Sequence, residues 1–367
     1  MKVLHISGAR SWGGNEQQLI YLIQELKKYN VVQSLFCYES TPLFEIVQNL
    51  DIQVIAIPYI KPHKKGYRES LKKTVVAHSF DLLHLHTSDS VTGYVLTDLL
   101  KGLKTKTVFS KKGVSRKVSF LSKQKYNYRN IDKILCVSKV VYEHFREVLY
   151  VKNHSKLCVV YDGVQVEDGS IEVESNIREE LNLPEEIKVI GNIANHTKAK
   201  DLKTLIKTLD VLVNKKHQKD IHLVQMGEFS KRTQELKDMV LALGLEKYIT
   251  FVGFRKKASS FLPQFDIYLM TSEREGGPTT VLEAFYKKVA VVSTRVGVVG
   301  EAITDGENGF VTSIGDYASL ADKIEVLIKD HELKSTFAER SFQNFLNLYT
   351  TEKLGAETFK VYREVLN

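Results

Sequence analysis

Two glutamates, Glu275 and Glu283, flank a Gly-Gly-Pro turn within residues 267–294, IYLMTSEREGGPTTVLEAFYKKVAVVST. The apolar run before the turn reads as a buried strand, and the segment after it reads as a helix starting near Thr279. Gly276 and Gly277 let a backbone approach a ligand closely. Pro278 suits the first helical turn, where a missing N–H costs nothing. The amides of Thr279, Thr280 and Val281 are then free to meet an anion such as a diphosphate, which a helix N-terminus favours. Glu283, one turn further in, is placed to accept bonds from both hydroxyls of a ribose. Glu275, in the loop, faces the same cavity and suits a sugar hydroxyl. An ordinary strand, turn and helix with two solvated glutamates would look the same in isolation, so the rest of the chain must decide.

The elements that position these groups follow from the apolar pattern. Strand-length runs alternate with helix-period stretches: KVLHIS, VVQSLFC, DIQVIAI, DLLHLH, KTVFS and KILCVS in the first half. Between them lie amphipathic segments such as residues 16–29, where Leu19, Leu22, Ile23 and Leu26 share a face. Residues 165–186 are acidic and lack strand character, as a linker would. A second series follows: IKVIGNIA, IHLVQMG, ITFVGF, IYLMTS, VAVVST and GFVTS. This alternation predicts an α/β chain of two doubly wound, Rossmann-like domains, residues 1–164 and 165–345. A ligand belongs in the cleft between them, at the carboxyl ends of the strands. The remaining stretch, residues 346–367, carries Leu346, Leu348, Leu354, Phe359, Val361, Tyr362 and Val365 and reads as helix.

The chain has 367 residues, 43% apolar and 26% charged, an ordinary globular composition that excludes collagen-like, coiled-coil and wholly disordered classes. Three cysteines, Cys37, Cys136 and Cys158, lie far apart, which argues against a disulfide scaffold and a structural zinc site. No apolar run approaches the ~18–20 residues a membrane span needs. The N-terminus reads as a first strand rather than a signal peptide, so a cytoplasmic protein is expected. The net charge of +8 is uneven: residues 1–160 hold 25 Lys and Arg against 12 acids, and the remainder 27 against 32. One cluster is Lys61, Lys64, Lys65, Arg68, Lys72 and Lys73. The other runs from Lys101 to Arg129 without an acid and interleaves Val118, Phe120, Leu121 and Tyr126 with cations. Either is a solvated basic face or a patch for anionic lipid on the inner face of the plasma membrane. No nucleic-acid partner is expected, because helix-turn-helix, RRM and zinc-finger patterns are missing.

EGGPTTVLEA resembles the Glu…Glu signature of the retaining glycosyltransferases of family 4, which have the GT-B fold. Further pieces stand in family order: a Gly-Gly turn after the first strand (residues 12–16), DLLHLHT at 81–87, CVSKVV at 136–141 and VVYDGV at 159–164. IGNIANHTKAKDLKTLI at 190–206, GLEKYITFVGF at 244–254 and VGVVGEAITDGENGFV at 296–311 complete the set. The resemblance implies that Lys200 binds the donor diphosphate and stabilises the leaving group. It implies that His86 lies near the donor sugar, while His84 is read as a packing residue on the same strand face. Gly13 and Gly14 match a glycine turn that approaches the diphosphate, and Phe254 stands where the family holds the nucleobase. Asn195, expected to help bind the donor diphosphate, stands where the family holds its second cation, and Lys198 would compensate for the lost charge. Lys288–Val289–Ala290 replaces a Gly-x-Pro, which is expected to make the donor pocket more basic. Only Gly227 remains of a Gly-x-Gly. In GT-B enzymes the last helix crosses back to the first domain, and the same is expected here.

The resemblance therefore implies a retaining glycosyltransferase that takes its sugar from a nucleotide-diphosphate sugar, UDP-sugars favoured over GDP-sugars, with no cofactor. The acceptor expected at the basic first domain is a glycan or lipid-linked sugar of bacterial surface polysaccharide or lipopolysaccharide assembly. No Asp-x-Asp occurs in the chain, so a metal–diphosphate clamp of that kind lacks its ligands and metal independence is expected. The rival readings are a GT-B nucleotide-sugar hydrolase or epimerase and a non-catalytic nucleotide-sugar binding protein. A phosphorylase of the glycogen type would need a much longer chain.

Overall fold

The computed structural model describes residues 1–114, 118–166 and 175–367. Parts of the acidic stretch 165–186 and of the basic stretch from Lys101 to Arg129 therefore lie outside the described residues. The chain forms two compact units, residues 1–165 together with 351–367, and residues 166–350.

The first unit carries β1 (Lys2–Ile6), β2 (Val32–Tyr38), β3 (Gln53–Ile57), β4 (Leu82–Leu85), β5 (Lys106–Lys111), β6 (Lys133–Cys136) and β7 (Leu157–Val159). They pair in parallel in the order β3-β2-β1-β4-β5-β6-β7. Six of these strands coincide with the apolar runs of the first half. The short β7 was not among them. Helices cover both faces, as a parallel sheet requires, because its strands have no side turned to water. Leu4 and Ile6 of β1 enter one layer with Leu83, Leu85 and Phe109. Val3, on the opposite face, packs with Leu82, Val108 and Leu135.

That second layer is closed by the last helix, Thr351–Leu366, whose Leu354, Val361, Tyr362 and Val365 complete it. The returning helix thus belongs to the first unit, but it begins at Thr351 rather than near residue 346. Phe345 is fully buried in the preceding helix, His331–Leu348, with its ring 5.4 Å from that of Tyr286 in the second unit. The chain turns at Tyr349 and Thr350, and Thr351 then donates its hydroxyl to Glu25 at 3.0 Å.

The second unit holds β8 (Lys188–Ile193), β9 (Ile221–Met226), β10 (Ile249–Gly253), β11 (Ile267–Met270), β12 (Val291–Thr294) and β13 (Phe310–Thr312). They are parallel, in the order β10-β9-β8-β11-β12-β13. In each sheet the winding direction reverses once, between β1 and β4 in the first and between β8 and β11 in the second. Loops leaving the carboxyl ends of two such strands diverge, and the crevice they leave is where an open α/β sheet binds its ligand. Among the described residues no helix is long and apolar enough to cross a membrane.

Candidate active site

In the second unit, the loop leaving β8 runs through Asn195 into a short turn, Lys198–Lys200. Asp201, at φ +46°, then starts the helix Leu202–Asp210. The loop leaving β11 is tied to it by its own backbone. The N–H groups of Glu273 and Arg274 donate to the Ala199 carbonyl at 2.9 and 3.4 Å, and the Thr271 hydroxyl donates to the Asp201 carbonyl at 3.1 Å. This lashing brings two of the expected site residues together. Lys200 Nζ donates to Glu275 Oε1 at 2.6 Å, and Ser272 Oγ donates to the same oxygen at 2.9 Å. A cation held at the end of such a loop is suited to an anionic ligand.

The Gly-Gly-Pro turn leads into the helix Thr279–Tyr286, with Pro278 at its cap and no capping side chain. One expectation fails at this point. The Val281 N–H donates to the Pro278 carbonyl at 3.2 Å, and its side chain is buried in the core, so Val281 offers nothing to an anion. Thr279 and Thr280 remain as amide donors, the Thr280 hydroxyl being bonded to Tyr268. Glu283 lies one turn in. Burial lifts its carboxyl to about 7 against the opposing charge of Lys287. Gly276 is backed by Gly297, whose left-handed φ of +51° favours glycine and whose added Cβ would fall 2.5 Å from the Gly276 carbonyl oxygen.

Asn195 has a structural task. Its Oδ1 accepts from the Glu228 N–H at 2.9 Å and joins the loops that leave β8 and β9. Gly227 beneath them has φ +156°, and a Cβ there would stand 2.0 Å from the Ala194 carbonyl oxygen, which explains why this glycine stays. Lys198 is exposed on a cavity of about 270 Å³ shared with His196, Arg232 and Glu273, while Lys203 is paired with Glu235 at 2.5 Å. Phe254 follows Gly253 directly after β10 and is 73% exposed, so it is not a core residue.

In the first unit, Gly13 caps the helix Gly14–Lys27 with extended backbone, and no residue crowds Gly14. The Glu16 side chain folds back onto the Gly13 and Glu16 amides, while burial holds its carboxyl above the usual carboxylate value. His86 follows β4 and is 9% exposed, on a cavity of about 310 Å³ lined also by Asn15, Ser110, Lys111 and Lys112. Its Nε2 lies 3.0 Å from His5 Nδ1. His84 is fully buried between the Tyr362 hydroxyl at 2.5 Å and Ser110 Oγ at 2.8 Å, as a packing residue should be.

A family profile described as Glycosyltransferase Family 4 matches residues 12–168, and one described as Glycosyl transferases group 1 matches residues 173–344. The chain belongs to glycosyltransferase family 4. It is similar to the N-acetyl-alpha-D-glucosaminyl L-malate synthase of Bacillus anthracis, at 23% identity over 83% of this chain and 80% of that one. The O-antigen biosynthesis glycosyltransferase WclY of Escherichia coli is 22% identical over the whole of both chains. Among solved structures, Anabaena Alr3699/HepE in complex with UDP superposes with a TM-score of 0.85 at 18% identity, covering 99% of this chain and all of the other. The fold is GT-B.

Within this family 4 glycosyltransferase, sequence reasoning misses several residues that the fold brings to the sites. Ser272 holds the Glu275 carboxylate, and nothing in its serine-after-strand setting marks it out. His5 looks like an interior strand residue until β1 and β4 are paired, which puts it beside His84. His196 sits inside the quoted ANHTKAKD motif, yet it is 1% exposed and spends both nitrogens on Thr233 and Gln225, at 2.8 Å each. Lys288 does not enrich the site with charge. It stands past the far end of the helix Thr279–Tyr286, at φ +54°, and its ammonium pairs with Glu339 at 2.7 Å.

Proposed function

We propose that this glycosyltransferase moves a sugar from a nucleotide-diphosphate sugar, UDP-sugars favoured over GDP-sugars, to a glycan or lipid-linked acceptor in bacterial surface polysaccharide or lipopolysaccharide assembly. The observation that carries this reading is the Lys200–Glu275 pair beside the start of the helix Thr279–Tyr286, with Glu283 one turn in. In this reading Lys200 and the Thr279 and Thr280 amides neutralise the diphosphate, Glu283 holds the ribose, Glu275 a sugar hydroxyl and Phe254 the base. Gly13, Gly14 and His86 of the first unit serve the diphosphate and the donor sugar. The structure of HepE with UDP supports the donor class, and the O-antigen role named for WclY supports the acceptor class.

Transfer proceeds with retention, by attack on the face from which the diphosphate leaves. The departing phosphate oxygen takes the acceptor's proton, and Lys200 and the helix amides stabilise the charge left on the phosphate. Glu275 and Glu283 are not the nucleophile pair of a retaining glycosidase, because Glu283 is used on ribose. No metal is needed, since the chain has no Asp-x-Asp. The basic face of the first unit meets an anionic membrane surface: Phe120 and Leu121 are 73% and 78% exposed beside Lys123, and Lys61, Lys64, Lys65 and Lys73 are exposed.

Thermal unfolding against UDP-, GDP-, ADP- and TDP-sugars without metal tests the donor site. Stabilisation by one nucleotide class, lost in Glu283→Ala and Lys200→Ala, is expected, and no stabilisation by any class would leave the reading without a donor. A transfer assay with EDTA tests the rest of the mechanism: loss of activity that magnesium restores would sink metal independence.

A further inference from the structure

His5, His84 and His86 are buried, and their ring nitrogens lie within 4.8 Å of one another in the first unit. The bonds around them have a direction that can be read from one end. Gln33 Nε2 donates to the Ile23 carbonyl at 2.9 Å, and a carbonyl can only accept. The amide orientation is thereby set, and Gln33 Oε1 faces His5 Nε2 at 3.0 Å. An amide oxygen also only accepts, so His5 Nε2 carries the hydrogen. A neutral imidazole has one N–H, which leaves a lone pair on His5 Nδ1. That lone pair faces His86 Nε2 at 3.0 Å, so His86 Nε2 must donate. By the same count, the lone pair of His86 sits on Nδ1.

We infer that Gln33 and His5 are positioning residues that hold His86 as its Nε2–H tautomer, with Nδ1 presented as a hydrogen-bond acceptor to a hydroxyl of the substrate. The chain runs from the Ile23 carbonyl through Gln33 and His5 to His86 without a break, and each of its bonds joins one donor to one acceptor. Gln33 and His5 are 5% and 0% exposed, so water does not compete for these bonds. Burial holds His5 neutral, its imidazole lowered to about 4, which the count above requires. His84 is set apart, since its two partners are hydroxyls that can donate or accept and so impose no tautomer. A bound metal is the competing arrangement for three clustered histidines. A metal drawing on His5 Nδ1 and His86 Nε2 would need both lone pairs together, whereas a proton lies between them.

The use of the Nδ1 lone pair in transfer rests on the reading of His86 given above, and the tautomer itself does not. The full-length protein labelled with ¹⁵N-histidine tests the latter at neutral pH, through two-bond nitrogen–proton correlations. Both His5 and His86 are expected to carry hydrogen on Nε2. His5→Leu and Gln33→Leu should shift His86 toward its Nδ1–H form. His5→Asn, whose Oδ1 takes the place of Nδ1 as acceptor, should restore the native pattern. In the transfer assay His5→Leu should lower kcat by about tenfold or more, with His5→Asn recovering most of it. Hydrogen on His86 Nδ1 in the wild type would overturn the chain outright, and that measurement needs no variant to fold. Stoichiometric Zn²⁺ binding that His5→Ala abolishes would overturn it in favour of a metal site. The expected tautomers together with full activity in His86→Ala would overturn the catalytic use of the lone pair, while Glu283→Ala reports separately on the donor site.

Discussion

Lys200 and Glu275 are 75 residues apart in the chain and 2.6 Å apart in space, ammonium nitrogen to carboxylate oxygen. Their side chains are 28% and 15% exposed, so the pair is partly buried and desolvation of the two charges offsets much of their attraction. The pair is therefore a poor device for stability and a good one for holding a cation ready. In the proposed reading, the diphosphate of a donor competes for Lys200 while Glu275 turns to a sugar hydroxyl.

These two roles are separable. Lys200→Ala is expected to change unfolding stability by less than ~1 kcal/mol and to abolish stabilisation by both UDP and a UDP-sugar. Glu275→Gln should keep the response to UDP and lose the extra response to the sugar. At ligand about 100 times its dissociation constant the native protein gains ~2.7 kcal/mol, so thermal shift resolves the difference. Equal losses in both variants would show that the two residues do not divide the donor between them.

Glu283 makes the second unit sensitive to alkali. Its folded carboxyl titrates at about 7 against 4.5 when unfolded, so between those values the folded state holds the extra proton. Stability must then fall as pH rises from 4.5 to 7, by up to ~3 kcal/mol for a shift of this size. Glu283→Gln should remove that slope and raise stability at pH 8. If ribose hydroxyls bond the ionised carboxylate, binding of a UDP-sugar at pH 7 releases a proton. Calorimetry in buffers of different ionisation enthalpy measures that proton, and none would be released if Glu283 stays protonated or out of the site.

The first unit has the opposite dependence. Burial holds His5 at about 4 and His84 and His86 well below the ordinary imidazole value, so the unfolded chain binds protons that the folded one refuses. Stability is complete above the unfolded value of 6.5 and is lost as pH falls toward 4, by ~3 kcal/mol for His5 alone. Trp12, the sole tryptophan, lies in this unit and gives its unfolding a fluorescence signal. Urea midpoints read from it should drop between pH 6.5 and 4.5, and His5→Asn should flatten the drop.

Much of this architecture is legible in the chain itself, for a physical reason. Strands buried on both faces are largely apolar, so β1, β4, β8 and β11 stand out as runs despite His5, His84 and Asn192. The three-residue β7 does not, because Leu157, Cys158 and Val159 are too few to form a pattern. The Glu…Glu spacing with its Gly-Gly-Pro turn is equally plain, since a tight turn and a helix start demand particular residue types. Side-chain partnerships are not local and escape this reading. Asn195 looks like a lost cation until its bond to the Glu228 amide is seen, and Lys288 looks like a gained one until Glu339 takes it. Val281 counts as a free amide only until the Pro278 carbonyl turns to meet it.

Gly297 makes a final prediction about what holds the Glu275 turn in place. Its backbone is left-handed, at φ +51°, and a Cβ there would stand 2.5 Å from the Gly276 carbonyl oxygen and 3.1 Å from the Glu275 carbonyl carbon. Gly244 is also left-handed, at φ +65°, but an added Cβ would meet nothing within 4 Å. Alanine at either position bears the conformational cost of positive φ, about 1 kcal/mol, and only at 297 must the turn also move. Gly297→Ala should therefore cost more than Gly244→Ala by at least ~1 kcal/mol in urea unfolding. It should also lose the sugar-dependent part of donor stabilisation, because a displaced Gly276 carries Glu275 with it, while Gly244→Ala keeps that part. Equal costs and an unchanged donor response in the two variants would mean that the turn is held by the Ala199 bonds alone.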